Sequence, residues 1–308
     1  MLDCKVILKF AGMQYIFIVN NKADRTFLAD RVESQASRLG IPYSIYRTAG
    51  QGDAARYVNI YCDLNPRDEV CFVAVGGSGT INEVASGIVN QPNKYMAILA
   101  WFGTCDFIKV FPERSFYSVK GIVEGTPQKI DIIKLNDNYS LNVINIGFDA
   151  MVAGYSDMYR AEDAPNSYRK GLARAVLFNR YNKISFVVDG EKMYNSKRIL
   201  QVTLSNGKYC GGEYLCAPRT VVDDGWIEVC AFRAMPLLTL LKIIPTYRAG
   251  RHLEDKTCLK LLKYKRAKHI EIDSDDLIYI CYDGEMIASS HFDVDIVEKA
   301  VNLILPQQ

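Results

Sequence analysis

No stretch of this sequence stays apolar for the ~20 residues that cross a bilayer, which excludes a membrane-spanning helix. The nine cysteines, at 4, 62, 71, 105, 210, 216, 230, 258 and 281, include no C-x-x-C pair. Cys71 and Cys281 lie inside apolar runs. These thiols are therefore expected to be small core residues in a reducing compartment, not zinc ligands or a disulfide framework. Histidine is scarce: His252, His269 and His291 lack metal-ligand spacing and are expected on the surface. Neither sign of charge dominates, since 37 Lys and Arg face 35 Asp and Glu for a net charge of +2. That excludes bulk electrostatic binding of nucleic acid. Internal repeats and low-complexity segments are absent too. The opening residues lack a signal peptide's basic-then-apolar order and cleavage site, so a cytoplasmic protein is expected, at most peripheral to a membrane.

What is present is a packed chain. Hydrophobic residues make up 49% of its 308 residues, a composition and length that suit two globular domains. "QYIFIVNN", "IPYSIYRT", "EVCFVAV" and "YMAILAW" read as strands. Helical patterns separate them, "RTFLADRVESQASRLG" and "GDAARYVNIYCD" among them. Such alternation predicts an α/β domain over residues 1–125 with a doubly wound, mostly parallel sheet. The pattern then changes. A hairpin is expected around Asn136-Asp137-Asn138, and one helix over 166–181. Strand-like segments follow: "KISFVVDG", "RILQVTLSNG", "WIEVCAFRA", "HIEIDS" and "LIYICYDGE". A helix over "MPLLTLLKIIPTYRAG" interrupts them. Residues 126–293 are thus expected to form an antiparallel, β-rich, sandwich-like domain. The tail, 294–308, is expected to complete the first one.

One turn carries chemistry. Gly76-Gly77-Ser78-Gly79 follows a buried strand and precedes a helix. Thr80 and Glu83 have capping-box spacing, which predicts a helix start at Thr80. Glycines there permit positive φ and close approach to the backbone, and amides at a helix start attract anions. A phosphate is the expected guest; a ligand-free strand-to-helix turn is the other reading of the same residues. The patterns GxxxxGK[ST] and GxGxxG are both missing.

The segment "GGSGTINEVASGI" resembles the GGDGTxNEVxxGL signature of the diacylglycerol kinase catalytic domain, found in bacterial soluble lipid kinases and sphingosine kinases. Further matches keep the family's order along nearly the whole chain. "IVNNKA" is similar to IxNPxSG, "YRTAGQGDAARYV" to TxxxGDA, and "ILAWFGTCDF" to PxGTxNDF. "GGEYLCAPRTVVDDGWIEV" is similar to GGxxxxAPxAxxDDGxLxV, and "CYDGE" to a late DGE. The resemblance implies a two-domain kinase that moves the γ-phosphate of ATP to a lipid hydroxyl. It implies nucleotide contacts at Asn21, Lys22, Thr48, Gly76, Gly77, Ser78, Gly79, Thr80, Glu83 and Thr104. It also implies a catalytic base at Asp283 or Glu285, and a Mg²⁺ site at Asp224 with the carbonyls of Val221 and Trp226. Ser78 stands where the family has Asp, and the first and third loops have lost family residues.

The residues themselves leave alternatives. Asp223-Asp224-Gly225 offers carboxylates for a hard cation, or a plain hairpin turn. In a strand Asp283 and Glu285 would share a face, as an acid–base pair requires; Asp283-Gly284 could equally be a hairpin corner. Asp189-Gly190-Glu191 repeats the tripeptide and is read as a turn only. The stretch 248–269 mixes Lys256, Lys260, Lys263, Lys265, Arg266 and Lys268 with leucines. It fits adhesion to anionic lipid or a solvated face. The expected function is an ATP-dependent lipid kinase acting on diacylglycerol or a related long-chain alcohol. The alternative is a non-catalytic nucleotide- or lipid-binding relative. A NAD kinase is disfavoured because no TPTGSTAY-like segment is present. Oligomeric state is open, a homodimer included.

Overall fold

The structure is a computed structural model that describes residues 12–20, 27–101, 105–160, 166–178 and 181–307. The chain divides into two compact units, residues 1–131 with 298–308, and residues 132–297. The boundaries expected from sequence are 125/126 and 293/294.

In the first unit, strands β1 (Gln14–Asn20), β2 (Tyr43–Thr48), β3 (Val70–Val75) and β4 (Lys94–Leu99) pair in parallel in the order β4-β3-β1-β2. The C-terminal residues extend the sheet past β4, with Leu303 opposite Met96. Every residue of β3 is buried, because a central parallel strand is covered on both faces and reads as one apolar run. Its side chains alternate. Cys71, Val73 and Val75 pack with Leu28, Val32 and Ala36 of α1 (Leu28–Leu39), an i, i+4, i+8 stripe. Phe72 points the other way, to Tyr61 of α2 (Asp53–Leu64), with ring centroids 5.4 Å apart. Helix α1 ends where the sequence places a stop, at Gly40 with φ 64°. Helix α3 (Ser78–Gly87) lies against α2 so closely that a Cβ on Gly87 would come within 2.7 Å of Val58. A short helix, α4 (Val119–Val123), adds Val119 and Ile122 to the α1 side of the core.

The strands of the second unit pair antiparallel. Two long strands organise it, β9 (Glu191–Ser205) and β12 (His269–Tyr282). Strand β8 (Asn182–Val188) bridges them over one half of their length, and β7 (Val143–Gly147) over the other. A register shift between Asp273 and Ile278 marks the change. Sequence reading splits β12 into two strands at this bulge; the structure keeps one. Strands β10 (Ile227–Arg233) and β11 (Leu262–Ala267) continue beyond β9, and β13 (Glu285–Leu305) pairs with β12. Strands β5 (Thr126–Leu135) and β6 (Asn138–Ser140) form the expected hairpin, with Leu135 opposite Asn138.

Alternation in β10 shows where the two cores of this unit lie. Val229 and Ala231 join an all-strand core with Phe186, Ile272 and Phe292. Cys230 and Phe232 face a helical layer of α5 (Phe148–Arg160), α6 (Ser167–Phe178) and α7 (Leu237–Arg248). Only one helix is expected between β7 and β8, yet there are two. Helix α5 was hidden in an apparent strand end, although Phe148, Val152 and Ser156, all buried, already carry an i, i+4, i+8 spacing. The eight described cysteines are free thiols, seven of them buried.

Candidate active site

The order β4-β3-β1-β2 reverses direction between β1 and β3. A crevice opens beyond the carboxyl ends of parallel strands at such a point. Asn20 and Thr48 end neighbouring strands in register, and Val19 lies opposite Val75. The glycine turn therefore leaves β3 beside the end of β1, one strand away from the end of β2.

Helix α3 begins at Ser78, two residues before the expected start, and Gly77 is its N-cap at φ −85° and ψ −174°. The expected capping box does not form, because both of its side chains have other partners. Thr80 Oγ1 accepts from Asn20 Nδ2 at 3.0 Å. Glu83 accepts from the amides of Gly52 and Ala54 at 2.8 and 2.9 Å. Glu83 thus satisfies donors at the start of α2, and α3 has no side-chain cap and no acidic residue in its first turn. Gly76, Gly77 and Gly79 do not use the positive φ that glycine permits. Their role is steric. A Cβ on Gly76 would meet Thr80 Oγ1 at 2.8 Å, whereas one on Gly77 would meet nothing within 4 Å. Gly76 lets the turn pack, and Gly77 leaves open space before the helix amides. Ser78 is exposed at the first turn. Asn21, Lys22 and Thr104 lie outside the described residues. Asn20, beside the expected Asn21, was not singled out by sequence, although the Asn-Asn pair at a strand end was the signal for it.

In the second unit β7 passes directly into α5 through Gly147, where φ is 90° and a Cβ would come within 2.5 Å of the Leu200 carbonyl. The tight junction sets Asp149 in the first turn of α5. There it lines a narrow pocket walled by Phe148, Leu172, Phe232, Leu240 and Ile243. Apolar burial raises the Asp149 pKa to about 7, and a hydrogen bond from Gln201 opposes the shift. Gln201 Nε2 also donates to Tyr247 Oη at 2.8 Å and to Thr203 Oγ1 at 3.0 Å. Thr203 in turn donates to Asn145 Oδ1 at 3.2 Å. The pocket is apolar along its walls and polar at Asp149, Gln201 and Tyr247. Sequence reading named none of these three. His252, expected on the surface, is fully buried instead, with its ring 4.9 Å from that of Tyr247. Burial lowers its pKa to about 4, so it stays neutral in this aromatic corner.

The two acidic motifs resolve differently. Tyr282 and Glu285 face each other across the β12–β13 hairpin. Asp283 and Gly284 are its two turn residues, with φ of 47° and 93°. The two positive values in a two-residue loop mark a type I′ turn. The expectation that Asp283 and Glu285 project together is thereby corrected. Asp283 folds back and is buried, accepting from Ser140 Oγ at 3.1 Å and from the amides of Leu141, Asn142 and Val143 at 2.6, 3.1 and 3.0 Å. Burial still raises its pKa to about 6 against these four donors. Glu285 is partly exposed and accepts from Tyr282 Oη at 3.1 Å. Asp189-Gly190 forms the same kind of turn, at φ 49° and 78°.

At the other motif, Asp224 accepts from the Trp226 amide at 3.1 Å and pairs with Arg266. Arg266 and Lys268 also lie over the Trp226 ring, 5.4 and 4.8 Å from its centroid. Val221 is 47% exposed. Both Asp224 oxygens are thus engaged by protein donors in a cation-rich corner, so a resident Mg²⁺ at Val221, Asp224 and Trp226 does not fit the residues as they stand. Among the described residues no group of three or more His, Cys, Asp or Glu could hold a metal.

The first unit thus carries a glycine turn at the switch point of its parallel strands, and the second, antiparallel unit carries an apolar pocket with a polar end. Two family models match the chain in tandem: the diacylglycerol kinase catalytic domain over residues 14–135, and the YegS C-terminal NAD kinase beta sandwich-like domain over residues 142–305. The chain belongs to the diacylglycerol kinase catalytic-domain family. It is 28% identical to a probable lipid kinase YegS-like of Serratia proteamaculans, over 83% of this chain and 82% of that one. It is 26% identical to a protein of the same description from Pectobacterium atrosepticum, over 95% and 96%. A putative diacylglycerol kinase from Bacillus anthracis has the same fold, with a TM-score of 0.72 at 21% identity over 95% of each chain.

Two outcomes follow from this geometry. Gly76→Ala should cost about 1–3 kcal/mol through its clash with Thr80, whereas Gly77→Ala should change stability by less than about 0.5 kcal/mol. Gly77→Ala should nonetheless weaken ATP binding by roughly tenfold or more, since its Cβ would fill the open approach to the helix amides. Melting curves and ATP titrations of both variants check this split. Asp283→Asn should lose about 1–3 kcal/mol in urea unfolding, because an amide NH₂ would face backbone donors that now have an acceptor. Unchanged stability in that variant would show that the carboxylate does not hold the 140–143 segment.

Proposed function

We propose that this protein is an ATP-dependent lipid kinase that phosphorylates a hydroxyl of diacylglycerol or a related long-chain alcohol. The observation that carries this reading is the pocket of the second unit, apolar along its walls and polar at Asp149, Gln201 and Tyr247, in a chain of this kinase family. An acyl chain would lie along the walls, and polar groups of the acceptor would meet the three side chains at the end. The pocket encloses only about 30 Å³, room for one or two waters. Seating a chain therefore requires its walls, α6 and α7 among them, to part.

On the nucleotide side, the open space at Gly77 and the uncapped start of α3 would receive the phosphates of MgATP. Thr48, Thr80 and Asn20 would line that end of the crevice. Transfer needs a carboxylate to accept the hydroxyl proton. Of the two carboxylates in the DGE segment, Asp283 has both oxygens committed to backbone donors, so Glu285 is assigned as the base. Tyr282 would hold Glu285 in place through its hydroxyl. The metal belongs to the substrate MgATP in this account, and no step is routed through a resident ion.

A second reading has one observation in its favour. Ser78 puts a neutral, exposed side chain at the first turn of α3, where the family's Asp would add a charge beside the metal of MgATP. The protein would then bind nucleotide or lipid without turnover.

The test is transfer of labelled phosphate from ATP, with Mg²⁺, to a panel of lipid alcohols in mixed micelles. Glu285→Gln should reduce transfer by roughly 10²–10⁴-fold with ATP affinity and melting temperature unchanged. Turnover near wild type in that variant would remove Glu285 as the base. A melting point raised by ATP without any transfer would favour the second reading. Ser78→Asp separates the two further. Without metal, the added carboxylate should weaken ATP binding by like-charge repulsion; with Mg²⁺ between the charges, the loss should shrink or reverse. An equal loss in both conditions would place Ser78 away from the metal of MgATP.

A further inference from the structure

Helix α7 is apolar on two opposite sides. Leu240, Ile243 and Tyr247 point inward, are buried and line the pocket. Leu238 and Leu241 point outward and are 73% and 52% exposed, next to exposed Lys242, Pro245 and Arg248. A helix that is hydrophobic all round normally has both sides covered. Among the described residues, nothing in the second unit covers the outward leucines to that extent.

The charge around α7 is predominantly basic, although Glu213 pairs with Arg248 at the end of the helix. The chain leaves the sheet after β10 and returns at β11, and the amide of Arg233 donates to the Leu261 carbonyl at 3.0 Å, closing the excursion at its base. Residues 234–260 carry five basic and two acidic side chains, a net +3, while the whole chain carries only +2. Of the acidic pair, Glu254 is exposed among the basic residues. Asp255 is turned onto the amides of Thr257 and Cys258, both at 2.9 Å, as the N-cap of α8 (Lys256–Leu259). Lys242, Arg251, Lys256 and Lys260 are all exposed, and so is Leu259, at 51%.

We infer that the outward face of α7, with the basic residues of its excursion, docks this protein onto an anionic lipid surface. Leucines that enter the acyl boundary and lysines that meet phosphate headgroups are the two parts such a surface recognises. A second copy of this chain fits worse. A two-fold contact would set the patch against itself and oppose +3 with +3. The inference rests on the lipid-kinase reading only for its purpose, since the same helix would then be both membrane anchor and wall of the acceptor pocket.

The experiment is co-sedimentation of the full chain with vesicles, one set of phosphatidylcholine alone and one with about a quarter phosphatidylglycerol. Binding is expected to the anionic vesicles, and to fall steeply between 0.1 and 0.5 M salt, on the order of tenfold. Leu238→Ser with Leu241→Ser should weaken it by roughly tenfold or more, and Lys242→Glu with Lys260→Glu by a similar factor. All of these side chains are exposed, and an unchanged melting temperature confirms the fold. Equal binding by wild type and both double variants would overturn the inference, and so would equal binding to the two vesicle types. A dimer in solution that the leucine pair breaks, without vesicle binding, would also overturn it and assign the face to a second copy. Sedimentation needs no turnover. Docking without transfer to any lipid therefore sinks the kinase reading alone, and transfer in micelles without docking sinks this inference alone.

Discussion

The second unit depends on one buried carboxylate. Asp283 sits in a hairpin turn, yet its oxygens reach the 140–143 segment and take three consecutive backbone amides and a serine hydroxyl. Its own amide donates back to the Val143 carbonyl at 3.2 Å. Burying a charge is costly unless donors surround it, and here they come from a segment that would otherwise leave unpaired amides. The same segment holds the end of β9, since Asn142 O accepts from the amides of Asn206 and Gly207 at 2.9 and 2.8 Å. The Asp283 side chain thus ties the β12–β13 turn to the start of β7, and the segment it holds ties in turn to the end of β9. Both chemical features of the unit lie downstream of this tie. Strand β7 runs on into Asp149 and the pocket, and the hairpin runs on into Glu285.

This arrangement explains how far the late DGE motif could be read. The tripeptide at 283–285 and the one at 189–191 build the same hairpin turn, with positive φ at both loop residues. Alternation predicts a shared face only while the chain stays extended, and an Asp-Gly pair between two apolar strands is the strongest signal that it does not. What separates the two turns is where the Asp reaches. Asp189 caps the exposed amides of Lys268 and His269; Asp283 enters the interior. That difference rests on residues about 140 positions away, which no local pattern contains.

On the nucleotide side the strands, their parallel order and the glycine turn were legible, because buried strands and glycines leave strong local marks. The helix start was not. Thr80 and Glu83 have the spacing of a capping box, but spacing does not reveal competing partners. Asn20 is 60 residues from Thr80, and Gly52 is 31 residues from Glu83. Those two contacts take the side chains that would have satisfied the first amides of α3. Local capping was exchanged for tertiary ties, and the helix was left with an open start. The missing capping box is therefore the feature that makes the turn suited to an anion. His252 is a comparable case: a lone histidine reads as surface, and only the ring packing of Phe232 and Tyr247 makes it core.

The two sides of the chemistry use burial in opposite ways. At the glycine turn the groups that would meet phosphate are backbone amides, whose partial charge is fixed by the fold and needs no titration. In the pocket the polar end carries a titratable carboxylate within apolar walls, and Asp149 is held near the point where either protonation state is accessible at neutral pH. A protonated Asp149 can donate to an acceptor's oxygen; an ionised one can accept from its hydroxyl. A ligand with both kinds of group, as a lipid alcohol with ester carbonyls has, would therefore find a partner at either pH. A simple hydrocarbon would leave the hydrogen bonds of Gln201 to Asp149, Tyr247 and Thr203 as they are and would offer Asp149 no further partner. Under the proposed function the polar end would favour a lipid with a hydroxylated head, which the walls alone would not.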